Sequence, residues 1–593
     1  MIWAKSLVFL AGAVPFAVAI NNCPLDGPVF PKPAKLSSTP VIQQAVESLT
    51  KQFTDWNANG TATANFSYSI QIFSAHEPEP LLSLSHTAPK LATIKHPGVT
   101  TVDENTVFRL GSLTKVFTVY NFLLNAGDTM WNDPITKYVP ELAAIVANRT
   151  TENAVLNTDW DEITIGSLMT QLAGIPRDYA LLGELTQMDS TKDSVVRLGF
   201  PPLPKAQIPP CGDVPLCTRE QFFTGIAKFY PSVAPFQTPT YSDIAFQLLG
   251  YALEQITGKD YQSLLQDTVL TPLNLTNTFY KVPKQALGII PGSANATKWS
   301  FQLGDEAPAG NMYSSAADIA AFGRAILSFK QLSPAMTRRW LKPFSFSSDP
   351  KASVGAPWGA RRIPLGPEYR QTTGYNKAGG IGSYMAAFVL IPDYDIGFSI
   401  MIAGDIPGNT NWNIADMLGT TFVPAVTLAA KNQAANKYNG YYALANGTQN
   451  DGLYTFANST RRFNSSLTIE TDNKPGLSIS QWYSNGTDFK AVVVSLQLTY
   501  VPTTPSIRLY PTALQADLPN GGKQIKFKAL FEDLAAPEQV DKMFSTDCGS
   551  WVGVESVIYG SMSADDIIFN TDATGAVTGV YIPALRITLP KQS

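Results

Sequence analysis

Apolar and polar positions follow three regimes along the chain. Residues 42–53 repeat apolar side chains at helical spacing, whereas Asn65-Phe66-Ser67-Tyr68-Ser69-Ile70-Gln71-Ile72-Phe73 alternates as a half-buried strand does, with 81–84 as a short partner. A further strand at 106–109 leads into Gly111-Ser112-Leu113-Thr114-Lys115-Val116-Phe117-Thr118, where the period turns helical. Helical patterning then dominates: 163–173 closed by Gly174 and Pro176, then 219–228, 244–256 and 317–327. Beyond 376 the apolar runs 385–391 and 396–403, split by Pro392-Asp393-Tyr394-Asp395, read as a buried hairpin, and a helix from 412 closes this region near 430. Strands, then helices, then strands predict an α+β domain whose sheet is assembled from both ends of the segment. From 438 on the character changes. Short alternating segments at 466–470, 477–479, 491–500, 507–510, 525–530 and 586–589, separated by Gly, Asn, Asp and Pro turns, predict a smaller all-β accessory domain, as sandwich or small barrel.

The boundaries that follow are 1–19, 20–430 and 431–593, and a length of 593 residues exceeds what one core usually supports. Residues 1–19 read as a secretory signal: Lys5 precedes an apolar run over 7–18 that ends in Ala17-Val18-Ala19. No later apolar stretch is long enough to span a bilayer, so the expectation is a soluble, secreted protein. Lys and Arg number 43 against 47 Asp and Glu, a net charge of −4 with no basic cluster, which excludes a nucleic-acid partner. Glycosylation triplets occur at Asn59, Asn65, Asn148, Asn274, Asn295, Asn446, Asn458, Asn464 and Asn485. Four cysteines in an oxidising compartment allow three pairings. Cys211 with Cys217, flanking a turn, and Cys23 with Cys548 is the favoured set, and the spacing fits no zinc site.

The chemistry begins at Ser112 and Lys115, which share one face of a helix at i and i+3 and can meet as nucleophile and base. Histidine is scarce: His76, His86 and His96 all precede Ser112, and their structural reading stands ahead of a catalytic one. A buried lysine that loses its proton is one base. Tyr241, in Thr240-Tyr241-Ser242-Asp243, is another, because a phenol beside the cations Lys115 and Lys377 is pushed toward phenolate. The Ser112 N–H at a helix start supplies one oxyanion donor, and the strand after Lys377 would supply the second.

Phe-Arg-x-Gly-Ser-x-Thr-Lys around Ser112, Leu168-Met169-Thr170-Gln171-Leu172-Ala173-Gly174-Ile175-Pro176, Tyr241-Ser242 with its Leu-Leu-Gly-Tyr helix, Pro308-Ala309-Gly310 with Asp318, and Gly379-Gly380-Ile381-Gly382-Ser383-Tyr384 stand in a particular order. In that order they resemble the serine β-lactamase, D-alanyl-D-alanine peptidase and esterase superfamily, in its class C-like branch, and fungal secreted β-lactamase-like proteins with an extra C-terminal β domain. The resemblance implies an antiparallel sheet flanked by helices with a helical subdomain. It also implies Ser112 as nucleophile, Lys115 and Tyr241 as the base system, and the strand carrying Lys377, Gly379 and Gly380 as the substrate edge; the sequence leaves the second oxyanion donor open, with Gly380 as a candidate. No cofactor or metal is required.

Two departures shape the expected function. Asp243 stands where the family usually has Asn, so an amide that could donate to a substrate carbonyl becomes an acceptor-only carboxylate; near Lys115 it would also keep that lysine protonated and move the base role to Tyr241. Ala378 removes a hydroxyl that would hold a substrate carboxylate. The expectation is a secreted serine hydrolase or acyltransferase acting on a small-molecule acyl substrate of ester type. Hydrolysis of a β-lactam or D-amino-acid amide is one alternative, and a non-catalytic binding protein on this fold is another. Oligomeric state is left open by the sequence.

Overall fold

In the computed structural model the described residues are 23–60, 63–151, 153–187, 193–366, 370–444, 465–536, 543 and 548–592. The expected signal segment 1–19 and the acceptors Asn446, Asn458 and Asn464 lie outside them. The chain forms two compact units. One comprises Ala34–Arg362 and Thr373–Val423; the other takes the described residues up to Pro33, Ile363–Thr372, and those from Pro424 on.

The first unit is organised by an eight-stranded sheet. Its strands are β1 (Phe66–Ser74), β2 (Leu82–His86), β5 (Ser345–Phe346), β6 (Ala352–Val354), β7 (Gly359–Pro364), β8 (Gln371–Ile381), β9 (Tyr384–Ile391) and β10 (Ile396–Gly404), while β3 (Phe108–Arg109) and β4 (Tyr313–Ser314) pair only with each other. The order is β2-β1-β10-β9-β8-β7-β6-β5, antiparallel from β2 through β8, so both ends of the segment do meet, with Phe66 opposite Gly404. All nine positions of β1 are buried, not every second one as its alternation suggests. Helices cover both faces, and the polar positions are satisfied sideways: Ser69 Oγ meets Ser85 Oγ at 3.2 Å and the Ala88 N–H donates to Ser67 Oγ at 2.9 Å.

The helices used below are α1 (Pro40–Ala58), α2 (Thr114–Asn125), α3 (Ile165–Met169), α4 (Arg219–Ile226), α5 (Ile244–Thr257), α6 (Ala307–Gly310), α7 (Ala316–Leu327) and α8 (Thr410–Tyr438). Phe53 of α1 packs on Tyr68 of β1 on one face. On the other, Phe117 of α2 stacks on Phe322 of α7 at 4.2 Å, and Phe322 on Phe388 of β9 at 6.2 Å, a row of rings that ties α2 to the sheet. Residues Thr114 to Leu123 of α2 are all buried, as are Ile244 to Leu253 of α5, so these two helices are central. The helix expected over 163–173 is shorter: α3 ends at Met169 and the chain turns left-handed at Gln171, φ 62°.

The second unit carries a β-sheet of β11 (Gly440–Ala443), β12 (Ser466–Glu470), β13 (Leu477–Ser484), β14 (Thr487–Asp488), β15 (Pro505–Asp517), β16 (Lys523–Asp533), β19 (Asp566–Thr571), β20 (Val577–Ile582) and β21 (Ile587–Pro590), with a small hairpin β17 (Ile558–Tyr559) and β18 (Met562–Ser563). Its order is β11-β12-β13-β15-β16-β19-β20-β21, and an antiparallel bridge from Tyr442 to Lys591 brings the first and last strands together. The segment 491–500, expected as a strand, is instead a helix, α9 (Phe489–Leu498). Its Val492-Val493-Val494 run suits a strand by propensity, but burial of Val493 and Val494 decides the conformation, and Thr499 closes the helix at φ 63°. Cys23 and Cys548 are joined here with Cα atoms 5.4 Å apart, and Cys211 and Cys217 in the first unit at 4.9 Å, the pairing expected. No helix among the described residues is long and apolar enough to cross a membrane.

Candidate active site

Ser112 lies in a single 3₁₀ turn, Gly111–Leu113, between β3 and α2. The turn is anchored before and after it. The buried Arg109 guanidinium donates to the carbonyls of Lys298 and Phe301 and to Asn311 Oδ1, and lies over the Tyr313 ring at 4.8 Å. Thr114 Oγ1 donates to Gly111 O at 2.7 Å and accepts from the Met312 N–H at 3.1 Å. Gly379 of β8 packs so closely on the turn that a Cβ there would stand 1.9 Å from Leu110 O and 2.8 Å from Ser112 N. Gly111, at φ 53°, meets Gly380 in the same way: a Cβ would stand 2.6 Å from Gly380 N. Backbone contact therefore brings Gly379 and Gly380 beside Ser112.

Lys115, on the first turn of α2, is fully buried. Its Nζ donates to Ser112 Oγ at 3.2 Å, to Ala309 O of α6 at 2.7 Å and to Asp243 Oδ1. The same atom lies 4.9 Å from the centre of the Tyr241 ring and 5.2 Å from that of Phe246. Lys377 Nζ stands 5.4 Å from the Tyr241 ring centre and donates to Ala378 O at 2.7 Å, and the Arg177 guanidinium lies 4.9 Å from the same ring. The structure thus gathers Ser112, Lys115, Tyr241, Asp243, Lys377, Gly379 and Gly380 at one place. By strand order β8 lies between β9 and β7.

The Tyr241 segment is fixed by Gln171. Its carbonyl accepts the Thr240 N–H at 2.8 Å and its Oε1 the Ser242 N–H at 2.7 Å, while Ser242 Oγ donates to Pro176 O and the Asp243 N–H to Arg177 O. The left-handed turn at Gln171 that cut the expected helix short therefore presents Tyr241 to Lys115.

The protonation states follow from these neighbours. Burial raises the proton affinity of the Tyr241 phenol, yet Lys115 and Lys377, with the Ser112 hydroxyl, outweigh it and bring its pKa below the ordinary phenol value. Burial opposes the charge on Lys115, but Asp243 and Tyr241 overcome this and hold its pKa above the usual lysine value. Lys377 is lowered by burial, which Tyr241 only partly offsets. The site is a buried cation, Lys115, paired with Asp243, and a phenol made more acidic than usual.

Sequence reasoning overlooked Arg177, Asp178 and Glu306. Arg177 Nε lies 3.2 Å from Asp178 Oδ2 and 3.7 Å from Asp243 Oδ2, and Glu306 directly precedes α6. Their signal was proximity: Arg177-Asp178 directly follows Gly174-Ile175-Pro176, and Asp305-Glu306 is separated by one residue from the Pro308-Ala309-Gly310 segment. Asp318, quoted with that segment, accepts from the Asn277 N–H and Thr278 Oγ1, both at 2.8 Å, and serves the fold. Two histidines have partners elsewhere: His76 pairs with Asp395 at 3.0 Å and His86 meets Thr63 O at 3.0 Å. The acceptors Asn59, Asn65, Asn148, Asn274, Asn295 and Asn485 are all exposed.

Comparison with known proteins gives two family matches: "Beta-lactamase" over residues 92–417 and "Beta-lactamase-like-like, C-terminal domain" over 430–593. A "Beta-lactamase-like protein" of Arthroderma benhamiae is 29% identical, covering 97% of this chain and 96% of its own. A "Probable hydrolase M10" of Phoma sp. is 26% identical over 95% of this chain and 90% of its own. Among solved structures, one described as "A class C beta-lactamase" aligns with a TM-score of 0.43 at 15% identity, covering 64% of this chain and 96% of that one.

Proposed function

The chain belongs to the beta-lactamase family, and from that premise we propose that it is a secreted serine hydrolase or acyltransferase that works through an acyl-enzyme at Ser112 on an ester-type substrate. The observation that carries the reading is the 3.2 Å contact of Lys115 Nζ with Ser112 Oγ beneath the acidified Tyr241. Tyr241 phenolate accepts the Ser112 proton as Oγ attacks the acyl carbon. The tetrahedral oxyanion takes the N–H groups of Ser112 and Gly380 in this scheme, a choice supported by the close packing of Gly379 and Gly380 on the turn that carries Ser112. Collapse expels the alcohol, which leaves with the proton from Tyr241. Water or a second alcohol then attacks the acyl-enzyme, Tyr241 again taking and returning a proton. Lys115 stays cationic throughout and, with Lys377, stabilises the phenolate.

The preference for an ester rests on two residues. Asp243 spends its carboxylate on Lys115 and Arg177 and has no N–H to donate to an amide carbonyl. Ala378 has no hydroxyl for a substrate carboxylate. The relative named as a probable hydrolase agrees with the reaction class. The test is turnover of a short-chain activated-ester panel beside nitrocefin by purified, glycosylated protein. Ester turnover that exceeds nitrocefin turnover is expected, and the reverse order would move the assignment to β-lactam or peptide-amide chemistry.

A further inference from the structure

Behind Lys115 stands a second group of side chains, of which the acyl-transfer scheme uses only Asp243. Asp178, Asp243 and Glu306 bring one carboxyl oxygen each to within 4.8 Å of one another. Three separate elements supply them: the turn after Pro176, the entry to α5 and the 3₁₀ turn Gly304–Glu306. Asp243 has its partners, Lys115 and Arg177. The other two have oxygens left over: Asp178 Oδ1 and Glu306 Oε1 are buried and meet no hydrogen-bond donor, and Glu306 is only 3% exposed. Two ionised carboxylates held this way would each be desolvated and would repel one another. A carboxylate only accepts, whereas a carboxylic acid offers one O–H. The donor missing from the geometry is a proton on the carboxyls themselves.

We propose that Asp178 and Glu306 share one proton as a carboxylic acid–carboxylate pair, leaving Asp243 as the only full anion against Lys115, and that this pair is a positioning unit for Ser112, Lys115 and Tyr241. The charges around it fit. Lys115 and Arg177 are the cations on its near side, with Lys377 beyond Tyr241. On the turn that carries Glu306, Asp305 accepts from the Tyr251 hydroxyl at 2.7 Å, and Arg219 lies over that ring at 4.0 Å. With the proton in place, Asp243 and the pair together carry two negative charges against Lys115 and Arg177. Without it they carry three. Burial, reinforced by the neighbouring carboxylates, lifts Asp178 to about 6 and Glu306 well above the carboxylate range. As pH rises the pair releases its proton to solvent. The added anion then raises the proton affinity of Tyr241 and Lys115, countering the acidification on which Tyr241 depends as a base.

The catalytic consequence rests on the Ser112 reading, but the shared proton does not, so the two are tested apart. Infrared difference spectroscopy on full-length protein carrying Ser112→Ala, and on the native chain, is expected to show a protonated-carboxyl stretch that persists above pH 6. Glu306→Gln removes that band while its amide still donates to Asp178, and Asp178→Asn does the same if the first variant fails to fold. The pH–rate profile for ester hydrolysis is expected to lose a titration step in whichever variant is used. The proposal is overturned by absence of the band in native protein, by its survival in the variant, or by a bound metal ion, detected by elemental mass spectrometry, that the variant loses. A variant whose pH–rate profile superimposes on that of the native enzyme overturns the positioning role.

Discussion

The Lys115 ammonium and the Asp243 carboxylate form an ion pair with both side chains withdrawn from solvent, at 0% and 5% exposure. Removing one partner of such a pair leaves an uncompensated buried charge, a loss of roughly 3–5 kcal/mol. Asp243→Asn keeps an acceptor for Lys115 and is expected to lie at or below the lower end of that range in urea unfolding. The pair raises the folded pKa of Lys115, so its stabilisation is fully present below the unfolded lysine value, about 10.4, and is lost as pH rises through the higher folded value. The gap between native and variant protein is therefore expected to be constant near neutrality and to close only in strong alkali.

Tyr241→Phe removes the proposed base and leaves Lys115 cationic. Loss of general-base assistance lowers rates by about 10²–10⁴-fold. The expected result is a fall of that order in kcat for activated esters with KM little changed. A fall of less than about tenfold would return the base role to Lys115.

Gly379→Ala tests the contact of β8 with the nucleophile turn, since its Cβ would stand 1.9 Å from Leu110 O and 2.6 Å from Leu113 N. Neither atom is the flexible end of a side chain, so the turn must move. A displacement near 1 Å at a reacting group costs on the order of 10²-fold in rate. That loss, with an unchanged far-ultraviolet spectrum, is expected; full activity would show that Ser112 does not depend on this contact.

Asp178 gives a stability prediction of the same sense as Lys115, in a lower pH window. Its folded pKa, about 6, exceeds the unfolded carboxylate value, so the native state binds the extra proton between the two. Stability is expected to fall as pH rises through that window and to level off above it. Asp178→Asn removes this component, which denaturant unfolding across the same pH range reads directly.

Much of this site was legible because its parts are local motifs. Ser112 and Lys115 are three residues apart, and Tyr241 and Lys377 sit in short segments whose order carries the family resemblance, so these residues could be singled out before their packing was known. Asp178 and Glu306 were not legible in the same way: they lie 128 residues apart in loops, and only packing against Asp243 gives them meaning. The fold divides similarly. Strands β9 and β10 announce themselves as long, largely apolar runs, whereas the Val492-Val493-Val494 segment has a composition that fits strand or helix and is settled by what it packs against. The alternation of β1 gave its conformation but not the burial of its serines, of which Ser69 meets Ser85 of the neighbouring β2.

The most direct measurement is covalent labelling. Purified protein treated with an activated fluorophosphonate, digested and analysed by mass spectrometry, is expected to carry one adduct on the peptide containing Ser112. Ser112→Ala is expected to lose both that adduct and ester turnover, the latter by roughly 10⁴-fold or more. An adduct on another residue, or full labelling and hydrolysis retained in Ser112→Ala, would contradict the acyl-enzyme account.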